Sequence, residues 1–227
     1  TILDQSTGFV KAIVGGRGKK NVSLSLDRAT TSTRQPGSTF KILSTYAPAI
    51  DTMGYTLSTT IVDEPFSYSN GRPVENWNHT YKGTVTVKQA IAQSMNVCAV
   101  KTLTAITPQL GYDYLLNFGI STLVDNRVEK DGSVSSDIHQ ALALGGITDG
   151  VTNLEMTAAY ASIANTGKYI RPVFYSQVID SNGRVLLDNT APKAKTILKD
   201  STAYLLTQAM ISVVKEGTGT FFNNAYH

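Results

Sequence analysis

One helix-forming stretch near the N-terminus constrains this chain most. Ile42, Leu43, Tyr46, Ala47 and Ile50 recur at the spacing of a single helical face. Pro36-Gly37 precedes them and predicts a helix start at Ser38. Pro48 falls inside the pattern and predicts a kink or an end there. The chain has 227 residues, enough for one large domain or two small ones with a core that needs no staples. Hydrophobic residues make up 41% and charged residues 16%, which excludes disorder as the general state. No apolar run approaches the roughly 18 residues of a membrane span. The opening Thr1-Ile2-Leu3-Asp4 lacks the basic start and apolar stretch of a signal peptide, so any targeting segment is expected outside this chain.

The rest of the chain reads as short elements separated by turn signals. Phe9 to Val14 has the composition of a half-buried strand, and Gln5 to Gly8 before it predicts a hairpin. Residues 51–85 are mostly polar with scattered Gly and Pro, an excursion long enough to form a site wall. Thr86 predicts the N-cap of a helix through Gln93, which Ser94-Met95-Asn96 interrupts before a second apolar helix through Val97, Val100 and Leu103. Tyr112 to Phe118 predicts a further short helix closed by Gly119. Ala141 to Gly146 is small and apolar and suits close packing under a site. Thr152-Asn153-Leu154-Glu155 is a capping box that opens an Ala-rich, buried helix to Asn165. Asn182-Gly183 between apolar runs predicts a hairpin. A last helix starts near Ser201 and ends at Gly217, leaving Thr218 to His227 without a clear structural end.

Charge and cysteine usage narrow the function classes. The net charge of +3 is too small to imply nucleic acid, and Arg17 to Lys20 reads as a solvated loop. Gly18-Lys19 does not close a nucleotide loop, because Ile13 and Lys20 stand where Gly and Ser or Thr are required. The single cysteine, Cys98, cannot make an internal disulfide and reads as a small core residue. His79, His139 and His227 are scattered, with no HExxH or CxxC spacing, so neither a metal nor a cofactor is expected.

The sharpest chemical signal is Ser38-Thr39-Phe40-Lys41, an S-x-x-K at a helix start. Residues three apart share a helical face, so the hydroxyl and the ammonium can meet. Serine needs a base to act as a nucleophile, and lysine can be that base if burial and nearby charge lower its pKa. A helix N-terminus also offers backbone N–H groups to a developing oxyanion. A capping serine with a surface lysine gives the same four letters. Ser94-Met95-Asn96 adds a hydroxyl to relay protons and an amide to hold a peptide carbonyl, although Ser and Asn also cap helices. S-x-x-K and S-x-N together are the first two parts of the trio found in penicillin-binding proteins and class A β-lactamases.

The surrounding residues carry a closer resemblance. Asp27-Arg28-Ala29-Thr30 with Arg34-Gln35-Pro36-Gly37-Ser38-Thr39-Phe40-Lys41 resembles the nucleophile region of class A penicillin-binding proteins. So do Tyr81 to Val87 leading to Ala92-Gln93-Ser94-Met95-Asn96, and Ala143 to Gly146 with Gly150 to Met156. Thr7-Gly8 with Ala12 to Gly16 is similar to the first hairpin of the transpeptidase domain. The resemblance implies an α+β fold of the β-lactamase/transpeptidase type, with an antiparallel sheet flanked by helices, an all-helical region, and the active site between them. It implies that Ser38 attacks the penultimate D-Ala carbonyl of a peptidoglycan stem peptide, Lys41 takes its proton, Ser94 passes a proton toward the leaving group, and Asn96 holds the acyl-side amide and helps position Lys41. Stem peptides ending in D-Ala-D-Ala and β-lactams are the implied partners. The implied location is the extracytoplasmic face of a bacterial membrane, with a glycosyltransferase domain and an anchor in the parent protein.

The sequence departs from the family's pattern in one respect. The third motif, Lys-Thr/Ser-Gly, is absent: Lys101-Thr102 is followed by Leu103 and Lys195-Thr196 by Ile197. Gly217-Thr218-Gly219-Thr220 is similar to the segment shortly upstream of that motif, so residues 1–227 are expected to be a partial domain with an incomplete sheet. Two rivals remain at this level. A serine β-lactamase of class A needs a carboxylate for deacylation, and no Glu-x-x-x-Asn follows Asn96: Glu129 leads to Ser133 and Glu155 to Ala159. An inert transpeptidase-like binding module is opposed by the presence of all four side chains of the first two motifs.

Overall fold

The computed structural model describes residues 1–19 and 21–224. Lys20 of the basic loop and the tail with His227 therefore lie outside the described residues. The chain from Phe40 to Asp51 is buried without a break, including Lys41, Ser44 and Thr45. It is not one uniform helix. A 3₁₀ turn over Gly37–Thr39 leads into a six-residue π-helix, Lys41–Tyr46, and then into α1, Ala47–Thr52. The chain does not stop at Pro48 but stays helical to Thr52. The switch from π to α places Pro48 in the first turn of α1, a position that proline tolerates.

Two helices follow with the Ser94 turn between them, α2 over Val87–Ala92 and α3 over Asn96–Ile106. Thr86 caps α2, accepting from the Gln89 N–H while the Gln89 side chain reaches back to the Thr86 N–H. Such a cap stabilises by about 1 kcal/mol. Helix α4, Pro108–Asn117, starts four residues before the expected Tyr112, because Thr107 caps it from an unusual backbone conformation (φ 77°). Helix α5, Asn153–Ala164, carries the expected Thr152–Glu155 capping box, and α6 spans Asp200–Glu216. Within Thr218 to His227, where the sequence shows no clear structural end, α7 spans Thr220–Asn224.

Among the described residues the strands pair two by two, all antiparallel. β1, Ile2–Leu3, pairs with β2, Val10–Ala12, as the N-terminal hairpin. The 51–85 excursion contains β3, Thr60–Asp63; β4, Phe66–Ser67; β5, Pro73–Val74; and β6, Gly83–Thr86. Of these β3 pairs with β6, and β4 with β5. β7, Arg127–Val128, pairs with β8, Val134–Ser135. β9, Lys168–Ile170, sits beyond α5, and the Asn182-Gly183 hairpin joins β10, Gln177–Ile179, to β11, Val185–Asp188. β12, Ala194–Thr196, returns to pair with β9.

The core lies among the π-helix and α1 to α6, around Phe40, Leu43, Tyr46, Leu103, Leu115 and Leu206, all fully buried. Each such side chain contributes about 1.5–3 kcal/mol relative to an exposed one. This mixed helical and strand architecture is the expected α+β class, with the antiparallel component present as short ladders around a helical core. Asp51 closes one end of that core: Tyr114 donates to its carboxylate at 2.7 Å and the Lys199 N–H at 2.9 Å, joining α1, α4 and the start of α6.

Candidate active site

The turn that carries Ser38 is held from outside its own helix. Arg34 and Val151 exchange backbone hydrogen bonds at 2.9 Å. Gln35 spans to Ile147, accepting from its N–H at 3.1 Å and donating to its carbonyl. Tyr160 of α5 donates to the Thr39 carbonyl at 2.7 Å. Behind the turn, a 3₁₀ helix over Gln140–Leu144 ends in Gly145, whose φ is +74°. A β-carbon at Gly145 would lie 2.3 Å from the Gly37 carbonyl oxygen, so only glycine lets the two backbones touch. Ala141 to Gly146 therefore packs directly against the turn, as its small residues suggest. Ser38 is left exposed on the outer side.

Lys41 lies one helical turn further in and is 3% exposed. Its ammonium donates to the Asn96 Oδ1 at 2.6 Å, to the Ser94 carbonyl at 2.7 Å and to the Ser94 Oγ at 3.1 Å. Burial lowers its pKa from 10.5 to about 8, with the nearby Cys98 acting in the opposite direction. The structure thus brings Lys41, Ser94 and Asn96 into one cluster, and Ser38 lies three residues before Lys41 on the exposed turn that leads into the same helix. The Lys41 ammonium is held by Ser94 and Asn96 rather than by Ser38.

Ser94 reaches Lys41 because of the way α2 ends. Ser94 is left-handed, with φ 51°. Its N–H donates to the Ile91 carbonyl at 3.0 Å, and the Met95 N–H donates to the Ala90 carbonyl at 2.9 Å. This is the Schellman pattern, in which the left-handed position normally belongs to glycine. A serine there keeps a hydroxyl on Lys41 at the cost of some backbone strain.

Asn96 opens α3 and is held by residues that sequence reading did not single out. Its Nδ2 donates to the Glu75 carbonyl at 2.8 Å, and its backbone N–H donates to the Asn76 Oδ1 at 2.9 Å. Asn76 in turn rests on the buried carboxylate of Asp63. The polar excursion is therefore a site wall. The one available signal was its length; which of its side chains face α3 is a tertiary fact. Cys98 is fully buried and its thiol is pushed up to about 12 by burial, which suits a core residue and not a nucleophile. Trp77 and Tyr81 are exposed. An open groove lined by Tyr68, Arg72, Glu75, Gln140 and Leu144 runs beside Asn96 and the Gly145–Gly37 contact.

Comparison with known proteins gives the family and the fold. Residues 1–226 match the family model described as the penicillin-binding protein transpeptidase domain. The chain is 34% identical over 221 residues to penicillin-binding protein 1A/1B of Bacillus subtilis, covering 96% of this chain and 22% of that protein. It is 35% identical to penicillin-binding protein 1A of Streptococcus pneumoniae, covering 100% of this chain and 30% of that protein. The chain thus spans less than a third of the length of these two relatives. Among solved structures it superposes on penicillin-binding protein 1A from Haemophilus influenzae with a TM-score of 0.80 at 23% identity, covering 99% of this chain and 37% of the other. It also superposes on the PonA1 protein from Mycobacterium tuberculosis in complex with penicillin V, with a TM-score of 0.76 at 24% identity and coverage of 92% and 53%. Those two likenesses establish the fold, and the match along the sequence establishes the family: this chain belongs to the penicillin-binding protein transpeptidase domains.

Proposed function

We propose that this chain forms part of a serine-type peptidoglycan transpeptidase that crosslinks stem peptides ending in D-Ala-D-Ala and is acylated by β-lactams. The observation that carries the reading is the buried Lys41, lowered to about 8 and held by Ser94 and Asn96 beside the exposed Ser38. Donating to three acceptors uses every N–H of an ammonium. Once Lys41 is neutral it has only two N–H bonds and a free lone pair, which can accept the Ser38 proton. Ser38 Oγ then bonds to the penultimate D-Ala carbonyl carbon, and the C–N bond to the terminal D-Ala breaks. The proton travels from Lys41 through Ser94 to the departing amine. The acyl-enzyme is resolved when an amine of a second stem attacks the ester and Ser38 regains its proton. Asn96 keeps one Nδ2 hydrogen beyond its bond to Glu75 to offer the acyl side of the substrate, and the adjoining groove receives the donor chain.

The class A relatives support a location on the extracytoplasmic face of the bacterial membrane, with a glycosyltransferase domain and an anchor in the longer protein. No helix among the described residues is long and apolar enough to cross a membrane. The exposed Tyr204, Ile211 and Val214 on α6 support a place where further strands, including the Lys-Thr/Ser-Gly wall, pack. The direct test supplies the full-length protein with stem peptides ending in D-Ala-D-Ala. Release of free D-Ala together with crosslinked dimer is expected. Release of D-Ala with no dimer, in the presence of an acceptor amine, would reduce the activity to that of a carboxypeptidase. Turnover of penicillin on a subsecond scale would instead indicate a β-lactamase.

A further inference from the structure

The Asp63–Asn76 pair lies behind Asn96 and is almost sealed from solvent, Asp63 at 0% and Asn76 at 3% exposure. Every hydrogen-bonding position of the Asn76 amide is filled. One face of its Nδ2 donates to both Asp63 oxygens, at 2.9 and 3.1 Å, and the same nitrogen donates to the Thr80 carbonyl at 2.9 Å. Its Oδ1 accepts from the Asn96 N–H at 2.9 Å and the Val97 N–H at 3.2 Å. Those are two of the orphan N–H groups of α3, whose own N-cap residue Met95 offers no side-chain bond. A flipped amide would set Nδ2 against two N–H donors and Oδ1 against a carboxylate and a carbonyl, so Asp63 fixes the orientation. Asp63 is itself pinned by the Lys82 N–H at 2.9 Å.

We infer that Asn76, oriented by Asp63, is a positioning residue that sets Asn96, and through its Oδ1 the Lys41 amine, in the geometry that acylates Ser38. The inference rests on the transpeptidase reading above. The link is a short chain of bonds: the Asp63 carboxylate to the Asn76 amide, Asn76 to the Asn96 backbone, and Asn96 Oδ1 to Lys41 Nζ. Next to it, the neighbouring Glu75 carbonyl fixes the other end of the Asn96 amide. Residues 75 and 76 together hold the backbone and the amide of Asn96 with its Oδ1 on Lys41. Displacing a general base by an ångström costs about a hundredfold in rate, so this remote pair has leverage on the chemistry without touching substrate.

The test measures the rate of penicillin acylation of the full-length protein across pH, with thermal melting to select folded variants. Asn76→Leu, of similar volume but without hydrogen bonds, is expected to acylate about ten- to a hundredfold more slowly. Asn76→Asp sets two carboxylates face to face and is expected to be at least as slow. The double exchange Asp63→Asn with Asn76→Asp rebuilds the pair with its polarity reversed. The new carboxylate accepts from the Asn96 and Val97 N–H groups and from the new amide, while the Thr80 carbonyl faces a carboxylate oxygen in place of its donor, as it also does in Asn76→Asp. Relieved of the clash between two carboxylates, the double exchange should recover part of the rate lost in Asn76→Asp. It also moves a negative charge one hydrogen bond nearer to Lys41, so the acidic limb of the rate profile should shift to higher pH. Cys98 of α3 is the titratable side chain that faces Lys41, and Asp63 and Lys101 face Cys98; none of the variants alters Cys98 or Lys101. A folded Asn76→Leu protein that acylates within about threefold of the parent overturns the inference, as does a double exchange that stays as slow as Asn76→Asp. The Ser38→Ala protein serves as the control: if it still labels, the transpeptidase reading falls and this inference with it, whereas loss of labelling with no rescue removes the positioning role alone.

Discussion

Lys41 Nζ lies 2.6 Å from Asn96 Oδ1, across the junction between the π-helix and the start of α3. The contact joins residues 55 positions apart and commits one of the three ammonium hydrogens. Burial holds the pKa at about 8, so at pH 7 about one molecule in ten carries the neutral amine. Acylation by penicillin should therefore rise about tenfold per pH unit on the acid side and level off above about pH 8. Lys41→Ala should lose the limb and roughly two to four orders of magnitude in rate. Stability follows the same proton with a definite sign. The unfolded chain holds it up to about 10.5, the folded chain only to about 8, so the Lys41 contribution to stability increases between these pH values. The difference in melting temperature between the parent and Lys41→Ala should be constant below about pH 8 and shift in favour of the parent as pH rises from about 8 toward 10.5.

Ser94 combines a strained backbone with a hydroxyl on Lys41, and the two can be separated. Ser94→Gly should relieve the left-handed strain and keep or raise the melting temperature. The same variant should slow acylation, because it removes the hydroxyl 3.1 Å from Lys41. Ser94→Ala should be both slower and less stable, since it keeps the strain without the hydroxyl. Equal melting temperatures for the two variants would contradict the role given to the turn.

Gly145 offers a test of the scaffold behind Ser38. Gly145→Ala forces a methyl group into the Gly37 backbone at a φ of +74°. It should cost about 1–3 kcal/mol of stability and slow acylation by moving the nucleophile turn. Gly132→Ala is the comparison, because that glycine has φ +84° with nothing within 4 Å of the added carbon. It should lose stability through backbone strain only and acylate at the parent rate.

Local spacing explains what could be read from the chain. Ser38 and Lys41 are three residues apart and Ser94 and Asn96 two, so each pair is visible as a short pattern, and the capping boxes at Thr86 and Thr152 announce their helices in four letters. The turn at Ser94 was legible as an interruption but not as a Schellman end, because serine occupies the glycine position. Pro48 misled because a π turn, which leaves no periodic signature over six residues, shifts the proline into a first turn. Asp63 and Asn76 were invisible because their partners lie 13 to 21 positions away in an irregular stretch, where only the folded chain shows which polar side chains are buried.

The identity of the nucleophile is the central claim, and it has a direct measurement. The full-length protein is incubated with penicillin, digested, and the modified peptide is sequenced by mass spectrometry. A single adduct of intact penicillin mass on Ser38, absent from Ser38→Ala, is the result expected. An adduct on Ser94 or any other serine, or labelling that survives Ser38→Ala, would contradict the account.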